Sequence, residues 1–419
     1  MKLLPLACKS IYNRRGTAIL TVLAIAFSVT LLLGVEKVRK GARLSFMNTI
    51  SGTSLIVGPR TGAVQLLLYS VFRIGSPTTR MSWESYERIA ARSQAVWTIP
   101  LSLGESHHGY RVLGTTGDYF KHYKYANRRS LAFDAGKAFN DVYDTVMGAD
   151  VAKELGYKIG NELEITHGLG HTGLSTHKDR PFRIVGILAK TGTPVDRTVH
   201  VSLEGLEAVH VDWVGGAHLH NDHPTTEKVR AMHLKPESIS AMFIGLKSPQ
   251  DAVMFQYNIN NLKSEPLLAV MPSVALQELW DAMSVAETAF LAVSALVVIA
   301  SLLGMITVIL AGLNERRREM AILRSVGARP IHIFGLLVME AGLYSAGGAV
   351  VGLGAVYLLQ ALSISFIEAQ FGLYLPILPP TSSDIFLLSG ITIVGFFVGS
   401  IPGLKAYLSS VADGMMVQT

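Results

Sequence analysis

The chain has 419 residues, of which 49% are hydrophobic and 16% charged, and its mean hydropathy is +0.36. This composition is too apolar for a soluble protein and too polar for a chain that lies wholly in a membrane, so we expect a mixed architecture. The formal net charge of +6 does not indicate nucleic-acid binding, because the Lys and Arg residues are scattered and form no basic run interleaved with aromatic residues. The single cysteine, Cys8, excludes an intrachain disulfide.

The N-terminal segment predicts a membrane anchor. Residues 1–15 alternate basic and apolar side chains, which is typical of an interfacial helix on the cytoplasmic face. Residues 16–35 carry no charge and are long enough to cross a hydrocarbon core of about 30 Å, at about 1.5 Å per residue. A cleaved signal peptide is disfavoured, because no small-x-small cleavage motif follows. Four basic residues follow the span, against the positive-inside bias, and they are Lys37, Arg39, Lys40 and Arg43.

Residues 36–283 contain no run hydrophobic enough to span a membrane, so we expect one large extracytoplasmic domain there. Helix and strand signals interleave irregularly in this domain, which favours the α+β class. Ser82 is predicted to cap a helix over Trp83 to Ser93. Further helices are predicted at Gly148 to Leu155, at Ser248 to Leu262, and from Ser273 onward. The predicted strands are Val96 to Leu103, Tyr110 to Thr115, Leu163 to Thr166, Phe182 to Leu188, Val199 to Ser202 and Ser240 to Leu246.

Three more spans follow this domain. The helix from Ser273 is expected to continue without a break into the second span, because no Pro or Gly interrupts it before Gly304. The predicted segments are 284–313 (second span), 314–333 (charged hairpin), 334–362 (third span), 363–384 (external loop), 385–404 (fourth span) and 405–419 (cytoplasmic tail). The third span carries small-residue faces at Gly342, Gly347, Gly348, Gly352 and Gly354. Its one charge, Glu340, is predicted to be hydrated or paired with an Arg near the interface, and the alternative is a buried functional carboxylate.

The hairpin at 314–333 fixes the predicted orientation. Its basic run, Arg316 to Arg318, follows a long uncharged stretch, and the positive-inside bias places such a run in the cytoplasm together with both termini. The spacing of its apolar residues predicts a short amphipathic helix that lies along the membrane surface. We expect Gly327 to end that helix.

The same hairpin carries a motif. The pattern Glu-Arg-x-x-Glu-x-x-x-Leu-Arg-x-x-Gly-Ala is formed by Glu315, Arg316, Glu319, Leu323, Arg324, Gly327 and Ala328. It resembles the coupling helix of the FtsX/MacB family of ABC-transporter permeases. The alternative, an ordinary basic loop that binds lipid head groups, would not require the ordered Leu-Arg-x-x-Gly-Ala.

The resemblance extends over nearly the whole chain. Segments similar to the MacB-like periplasmic core are Gly136 to Phe139, Val146 to Leu155, Ile159-Gly160 and Phe182 to Leu188. It implies an α-helical membrane protein with four transmembrane helices and a large α+β extracytoplasmic domain between helices 1 and 2, in the cell inner membrane. It also implies that the residues which couple to the ATPase are Arg316, Arg317, Arg318, Glu319, Leu323, Arg324, Gly327 and Ala328.

The chain contains no G-x-x-x-x-G-K-[ST] motif, so it cannot hold a nucleotide in a P-loop. The resemblance implies that ATP and Mg²⁺ bind to a separate cytoplasmic ABC ATPase, present in two copies beside two copies of this chain. The chain itself is then a non-catalytic permease that transmits ATP-driven motion to its periplasmic domain, in order to move or extract a substrate. A periplasmic adaptor or a substrate-binding protein is a further expected partner. An FtsX-like regulator of a periplasmic partner is one alternative, and a component of a zinc-linked transport system is another.

A histidine-bearing loop suggests a metal. His218, His220, Asp222 and His223 lie together in the stretch from Gly215 to Pro224, and imidazole with carboxylate suits Zn²⁺. The alternative is a polar surface loop that attracts metal incidentally. The same run matches a motif of metallo-β-lactamase-like hydrolases, but the large scaffold which that motif requires is not predicted here.

Overall fold

The computed structural model describes residues 3–126, 128–167, 181–211, 213–214, 217–218, 226–232, 234–371, 377 and 379–408. Its helices are α1 (Leu3–Asn13), α2 (Arg15–Thr49), α3 (Ala63–Ser70), α4 (Trp83–Ala90), α5 (Asp118–His122), α6 (Ala149–Leu155), α7 (Leu203–His210), α8 (Thr226–Ala231), α9 (Asp251–Asn260), α10 (Pro272–Ser325), α11 (Pro330–Phe371) and α12 (Ser382–Leu408), with a 3-10 helix at Pro194–Arg197. Its strands are β1 (Leu55–Pro59), β2 (Met81–Ser82), β3 (Ala95–His107), β4 (Tyr110–Thr115), β5 (Lys124–Tyr125), β6 (Arg129–Ser130), β7 (Phe133–Gly136), β8 (Asp144–Met147), β9 (Glu162–Leu163), β10 (Thr166–His167), β11 (Phe182–Leu188), β12 (Thr198–Ser202), β13 (Trp213–Val214), β14 (Ala217–His218), β15 (Ser238–Ile239), β16 (Ala241–Leu246) and β17 (Leu267–Val270).

The chain divides into two compact units. The helical unit comprises Met1–Gly41, Ser284–Ser365 and Pro376–Thr419, and the α/β unit comprises Ala42–Met283 and Phe366–Leu375. Each unit has its own apolar core.

The α/β unit is built on one mixed sheet. The strand order is β17-β1-β16-β3-β4-β12-β8-β11-β7, with β10 added beside β3 and β9 beside β11. The strand β3 joins the two halves of the sheet, because its first half pairs with β16 and its second half with β4. Two strand pairs are parallel, β4 with β12 and β8 with β11, and the others on this path are antiparallel. The predicted α+β class is therefore confirmed.

Side chains of the central strands alternate between two cores. In β1, Ile56 faces the core beneath α3 and α5, whereas Leu55 and Val57 face the core beneath α4 and α9. This two-residue period is what a pleated strand imposes when both faces of its sheet are covered. A third core lies beneath α6 and α7, against β8, β11 and β12.

Local capping explains where two helices of the α/β unit begin. Ser82 and Ser202 precede α4 and α7, and each side-chain hydroxyl accepts a hydrogen bond from the backbone N–H three residues later. Such N-caps satisfy one of the orphan donors at a helix start. Sequence patterns predicted α4 but did not predict α7, α3, β1 or β17.

Four helices in the described part of the chain are long and apolar enough to cross a membrane. They lie at Arg15–Met47, Pro272–Leu313, Pro330–Ile364 and Ser382–Leu408. The predicted first span covers residues 16–35, but α2 continues to Thr49, because the residues after the span keep the backbone hydrogen bonds of a helix. The predicted continuity of the helix from Ser273 is confirmed, since α10 runs unbroken from Pro272 to Ser325.

Glycines set the closest approaches inside the helical unit. A Cβ on Gly348 of α11 would lie 2.5 Å from Ile25 Cγ2 of α2, and one on Gly352 would lie 2.7 Å from the Ala26 carbonyl oxygen. Thr30 of α2 also donates a hydrogen bond of 3.2 Å to the Gly352 carbonyl. Small residues therefore allow α2 and α11 to pack backbone to backbone.

Candidate functional site

The predicted coupling segment forms the C-terminal end of α10. The sequence predicted a separate amphipathic helix, but the helical backbone is continuous through Arg316, Arg317, Arg318 and Arg324 to Ser325. The prediction of a separate helix is therefore wrong, because the helix continues through Gly304 and Gly312 and no proline interrupts it before Gly327. The side chains of these four arginines and of Glu315 lie outside the described residues.

The other predicted coupling residues have described side chains. Glu319 is exposed, and Leu323 and Ala328 are half-buried. Val326, the first residue after the helix, is 82% exposed. The end of α10 therefore presents both charge and apolar surface to its surroundings.

The Leu-x-x-x-Gly-Ala part of the motif has a physical role. The helix ends at Ser325, and Gly327 has a φ of +98°. The Ala328 N–H donates a hydrogen bond of 3.0 Å to the Leu323 carbonyl oxygen. This six-to-one hydrogen bond around a left-handed glycine is a Schellman C-cap. Gly327 therefore ends the helix, in agreement with the prediction. No atom of the described residues lies within 4 Å of where its Cβ would be, so among these residues it is φ that demands glycine there.

The next helix begins at once. Pro330 is the first residue of α11, where its missing N–H costs nothing. His332 Nδ1 accepts a hydrogen bond of 3.1 Å from the Arg329 N–H, and the His332 N–H donates 2.9 Å to the Arg329 carbonyl oxygen. The connection from α10 to α11 is therefore a short turn with both ends capped.

A second group of charged residues lies at the opposite end of the helical unit, and the sequence analysis did not recognise it as a cluster. Lys37 Nζ of α2 lies 3.6 Å from Asp384 Oδ2 of α12. It also donates a hydrogen bond of 3.2 Å to the Tyr357 hydroxyl of α11. The Asp384 side chain is 2% exposed and also accepts a hydrogen bond from the Thr381 N–H at 2.9 Å, as a helix cap. These contacts connect α2, α11 and α12.

Arg39 and Lys40, which also follow the first span, are paired as well. Arg39 donates two hydrogen bonds to the Glu36 carboxylate, at 2.9 and 2.8 Å, and it lies 3.7 Å from Glu287 of α10. Lys40 lies 3.1 Å from Glu36. Charge-balanced pairs explain how basic residues can follow the first span against the positive-inside bias. One feature of the sequence could have predicted these ion pairs: acidic residues stand near the ends of the predicted spans, at Glu36, Glu287 and Asp384.

Glu340 of α11 is fully buried, and its carboxylate accepts a hydrogen bond of 2.8 Å from the Tyr344 hydroxyl one turn later. The predicted hydration of Glu340 is therefore wrong, whereas its pairing with an Arg stays a prediction, because several arginine side chains of α10 lie outside the described residues. The close packing of α12 on the same helix explains this burial, because Gly399 would place a Cβ 2.5 Å from Ala341 Cβ.

The predicted metal loop falls almost wholly outside the described residues. His218 contributes backbone to the hairpin of β13 and β14, opposite Trp213. His220, Asp222 and His223 lie outside the described part of the chain, as does the side chain of His218. Among the residues that the structure does describe, no group of three His, Cys, Asp or Glu side chains could hold a metal ion.

Two other histidines are buried in the α/β unit. His200 is fully buried against the rings of Tyr119 and Phe120, and burial lowers the pKa of its imidazole to about 3. His107 lies with Nε2 2.9 Å from the Tyr157 hydroxyl and Nδ1 2.6 Å from the Glu164 carbonyl oxygen, and burial lowers its pKa as well. Desolvation disfavours the charged imidazolium in both places. These two histidines are therefore neutral parts of the core.

Two family models match this sequence. The MacB-like periplasmic core domain matches residues 18–260, and the FtsX-like permease C-terminal domain matches residues 291–410. Among solved structures, the chain is similar to the periplasmic region of MacB from Actinobacillus actinomycetemcomitans, with 10% identity, a TM-score of 0.34, and coverage of 54% of this chain and 94% of that one. It is also similar to the extracellular domain of the noncanonic ABC-type transporter YknZ from Gram-positive bacteria, with 10% identity, a TM-score of 0.29, and coverage of 46% and 89%. No protein of curated function matches the sequence.

The two matched regions are the segments whose residues carried the resemblance in the sequence. The match to the periplasmic core domain alone spans more than half of the chain. The chain therefore belongs to the FtsX/MacB-like family of ABC-transporter permeases.

Proposed function

We propose that this chain is the permease subunit of an ABC transporter and that it transmits the ATP-driven motion of a separate ATPase to its α/β unit, in order to move or extract a substrate. The family normally works with an ABC ATPase, and the sequence contains no P-loop of its own. In this proposal ATP and Mg²⁺ are bound by the partner, and two copies of this chain associate with two copies of the ATPase. A periplasmic adaptor or substrate-binding protein is the proposed partner on the other side of the inner membrane.

The proposal assigns an orientation. Both termini and the turn between α10 and α11 are cytoplasmic, and the α/β unit is periplasmic. The basic run Arg316 to Arg318 supports this assignment, because positive residues are retained on the cytoplasmic side.

The continuity of α10 is the observation that carries the mechanical part of the proposal. This helix begins two residues after β17 of the sheet and ends at the turn that carries the coupling motif. At about 1.5 Å per residue, its 54 residues extend about 80 Å. An unbroken hydrogen-bonded helix is a direct means of conveying a displacement from the ATPase side to the α/β unit.

The capped turn suits the receiving end of such a helix. The Schellman cap at Gly327 and the proline start of α11 fix the chain direction over only a few residues. A force applied to the exposed Glu319 and Val326 therefore acts on the ordered end of α10, because only a short capped turn separates α10 from α11.

The test uses the tagged full chain purified from its native membranes and reconstituted in lipid nanodiscs. We expect an ABC ATPase to co-purify and to hydrolyse ATP. Gly327→Leu should lower the hydrolysis rate at least several-fold, because a side chain at φ +98° disrupts the cap. Arg324→Glu should weaken co-purification, because reversing a charge removes complementarity at an interface.

Matched variants separate coupling from general damage. Gly304→Leu lies in the same helix, in a position with no atom within 4 Å of an added Cβ, and should leave hydrolysis unchanged. Lys121→Glu on the exposed surface of the α/β unit should leave co-purification unchanged. Recovery of no ATPase with the wild-type chain, or equal hydrolysis by the Gly327 and Gly304 variants, would refute the proposal.

A further inference from the structure

The α/β unit contains a cavity of about 430 Å³. Its walls come from the C-terminal end of α2 with the linker to β1, the turn between β5 and β6, the start of α9 and the first turns of α10. This volume lies within the range of about 300–1,000 Å³ that is typical of small-molecule sites. The proposed coupling function does not use this cavity.

One side of the cavity is apolar. It is formed by the side chains of Met47, Ile50, Leu276 and Trp280. Leu276 and Trp280 belong to the first turns of α10 and are 5% and 7% exposed, and the Trp280 ring packs edge-on against Phe46 at 5.8 Å. A wall of this kind suits an aliphatic chain, because burial of apolar surface is favourable and non-directional.

The cavity carries one ionised side chain, and it is positive. Among the lining residues only Arg128 is charged, and among the described residues it has no ion-pair partner. The φ of Arg128, +65°, is uncommon for a residue with a side chain. Its backbone N–H donates a hydrogen bond of 3.2 Å to the hydroxyl of Ser51, which also lines the cavity. The guanidinium is therefore carried on a fixed backbone at the cavity and is available to an anion.

Two buried polar atoms of lining residues have no hydrogen-bond partner among the residues that the structure describes. They are the Trp280 indole Nε1 and the Thr53 hydroxyl Oγ1. A buried indole N–H and a buried hydroxyl normally find a hydrogen-bond partner, and the indole can only donate. Both atoms would be satisfied by the acceptor oxygens of a ligand.

We propose that this cavity binds a single-chain amphiphile with an anionic head group, with the aliphatic chain against Leu276 and Trp280 and the head group at Arg128. A fatty carboxylate and a monoalkyl phosphate share this chemistry. The site lies within the α/β unit, and binding to it requires neither ATP nor the ATPase.

The experiment uses the full chain in nanodiscs and a dodecanoate that carries a photoreactive diazirine on its chain. After irradiation, the labelled peptides are mapped by mass spectrometry over a range of probe concentrations. We expect saturable labelling of peptides that contain Met47 to Ser54 and Met271 to Trp280. Unlabelled dodecanoate or dodecyl phosphate should compete for these peptides, and the neutral dodecanol should compete at least tenfold more weakly.

Variants test the role of the charge. Arg128→Gln should raise the half-saturating probe concentration at least tenfold, whereas Arg128→Lys should retain most of the affinity. Arg129→Gln is the matched control, because Arg129 is the next residue along the chain, is exposed like Arg128, and does not line the cavity. Thr53→Val preserves shape and removes the hydroxyl, and it should weaken labelling several-fold.

Three outcomes would overturn the proposal. They are labelling that does not saturate at these peptides, equal half-saturation in the Arg128→Gln and Arg129→Gln variants, and competition by dodecanol as strong as that by the anions. Because no ATP is added and the labelling does not depend on the ATPase, each of these outcomes would leave the proposed coupling function standing.

Discussion

His200 shows how one buried side chain makes the α/β unit sensitive to acid. Its imidazole lies between aromatic rings, with Nδ1 3.3 Å from the Val146 carbonyl oxygen, and its Nε2 has no partner among the described residues. Protonation would place an uncompensated charge in the core, which is why burial lowers the pKa of the group to about 3. The folded protein therefore keeps this histidine neutral.

This pKa predicts the direction of the pH dependence. The unfolded chain takes up a proton near pH 6.5, whereas the folded chain does not until about pH 3. The stabilisation is therefore fully present above pH 6.5 and is lost as the pH falls towards 3, by up to about 1.4 kcal/mol per pH unit. Thermal unfolding of the full chain in nanodiscs between pH 7.5 and 4.5 measures the slope.

The variant His200→Gln should flatten that slope, because glutamine does not titrate. Part of the slope should remain, since burial also lowers the pKa of His107. His108→Asn is the comparison, because asparagine tolerates its positive φ of 46°, and because the His108 ring lies 4.5 Å from that of His107 the variant should change only the His107 part of the slope. A slope that is unchanged in the His200 variant would contradict this account.

Two glycines of the periplasmic-core motif also have a role at the residue scale. Gly136 and Gly186 face each other in neighbouring strands β7 and β11. A Cβ on either one would collide with backbone, that of Val185 for Gly136 and that of Lys137 for Gly186. The motif that suggested the family therefore marks a place where two strands approach too closely for any side chain.

At the scale of elements, α11 packs through a glycine face that is distinct from its exposed side. Gly348 and Gly352 face α2, and Gly342 faces Phe396 of α12. Gly354 belongs to the same helix, but nothing lies within 4 Å of where its Cβ would be. The five glycines that the sequence grouped together therefore have different roles.

This difference yields a matched pair of variants. Gly352→Ala should destabilise the helical unit by about 1–3 kcal/mol, because the new Cβ would lie 2.7 Å from the Ala26 carbonyl oxygen and 2.8 Å from Val29 Cβ. Gly354→Ala should be neutral or stabilising by up to about 1 kcal/mol, because alanine restricts the unfolded chain and meets no clash. Unfolding of both variants in nanodiscs would measure the difference, and equal stabilities would show that the α2–α11 contact tolerates a methyl group.

An ion pair and a hydrogen bond join α2, α11 and α12 at the end of the helical unit opposite the turn between α10 and α11. Lys37, Asp384 and Tyr357 belong to three different helices, and Glu287 brings α10 into the neighbouring group around Arg39. The Asp384 carboxylate is almost fully buried, so its partner matters more than that of an exposed acid. Lys37, Arg39 and Lys40 are thus part of the packing of the bundle.

At the scale of the whole molecule, the chain combines four candidate spans with one sheet-based unit inserted after the first span. The proposed function requires the turn between α10 and α11 to lie on the opposite side of the membrane from the α/β unit. The exposed surfaces in each region provide positions at which this orientation can be measured.

Cysteine labelling in a Cys8→Ser background tests the orientation. Val326→Cys in the turn and Lys158→Cys in the α/β unit place thiols at exposed positions. In intact cells with a permeabilised outer membrane, an impermeant maleimide should label position 158 and should not label position 326 until the inner membrane is disrupted. The reverse pattern would overturn the orientation, and labelling of both positions would show that they share one side.

The sequence by itself determined the four spans, the α+β insert and the end of α10, since these follow from local properties. Uncharged runs of sufficient length predict spans, and alternating or capped segments predict strands and helices, such as α4 after Ser82. Gly327 was identified as a helix end because only glycine readily takes the left-handed conformation.

Tertiary structure alone decided features that depend on residues far apart in the chain. The pairing of Lys37 with Asp384, the burial of Glu340 and the neutral state of His200 each arise from side chains that meet only after folding. The strands β1 and β17 were missed because each is short and apolar on both faces, and their pairing spans some two hundred residues of chain. The cavity at Arg128 is likewise formed by four separate segments, so no local pattern could have predicted it.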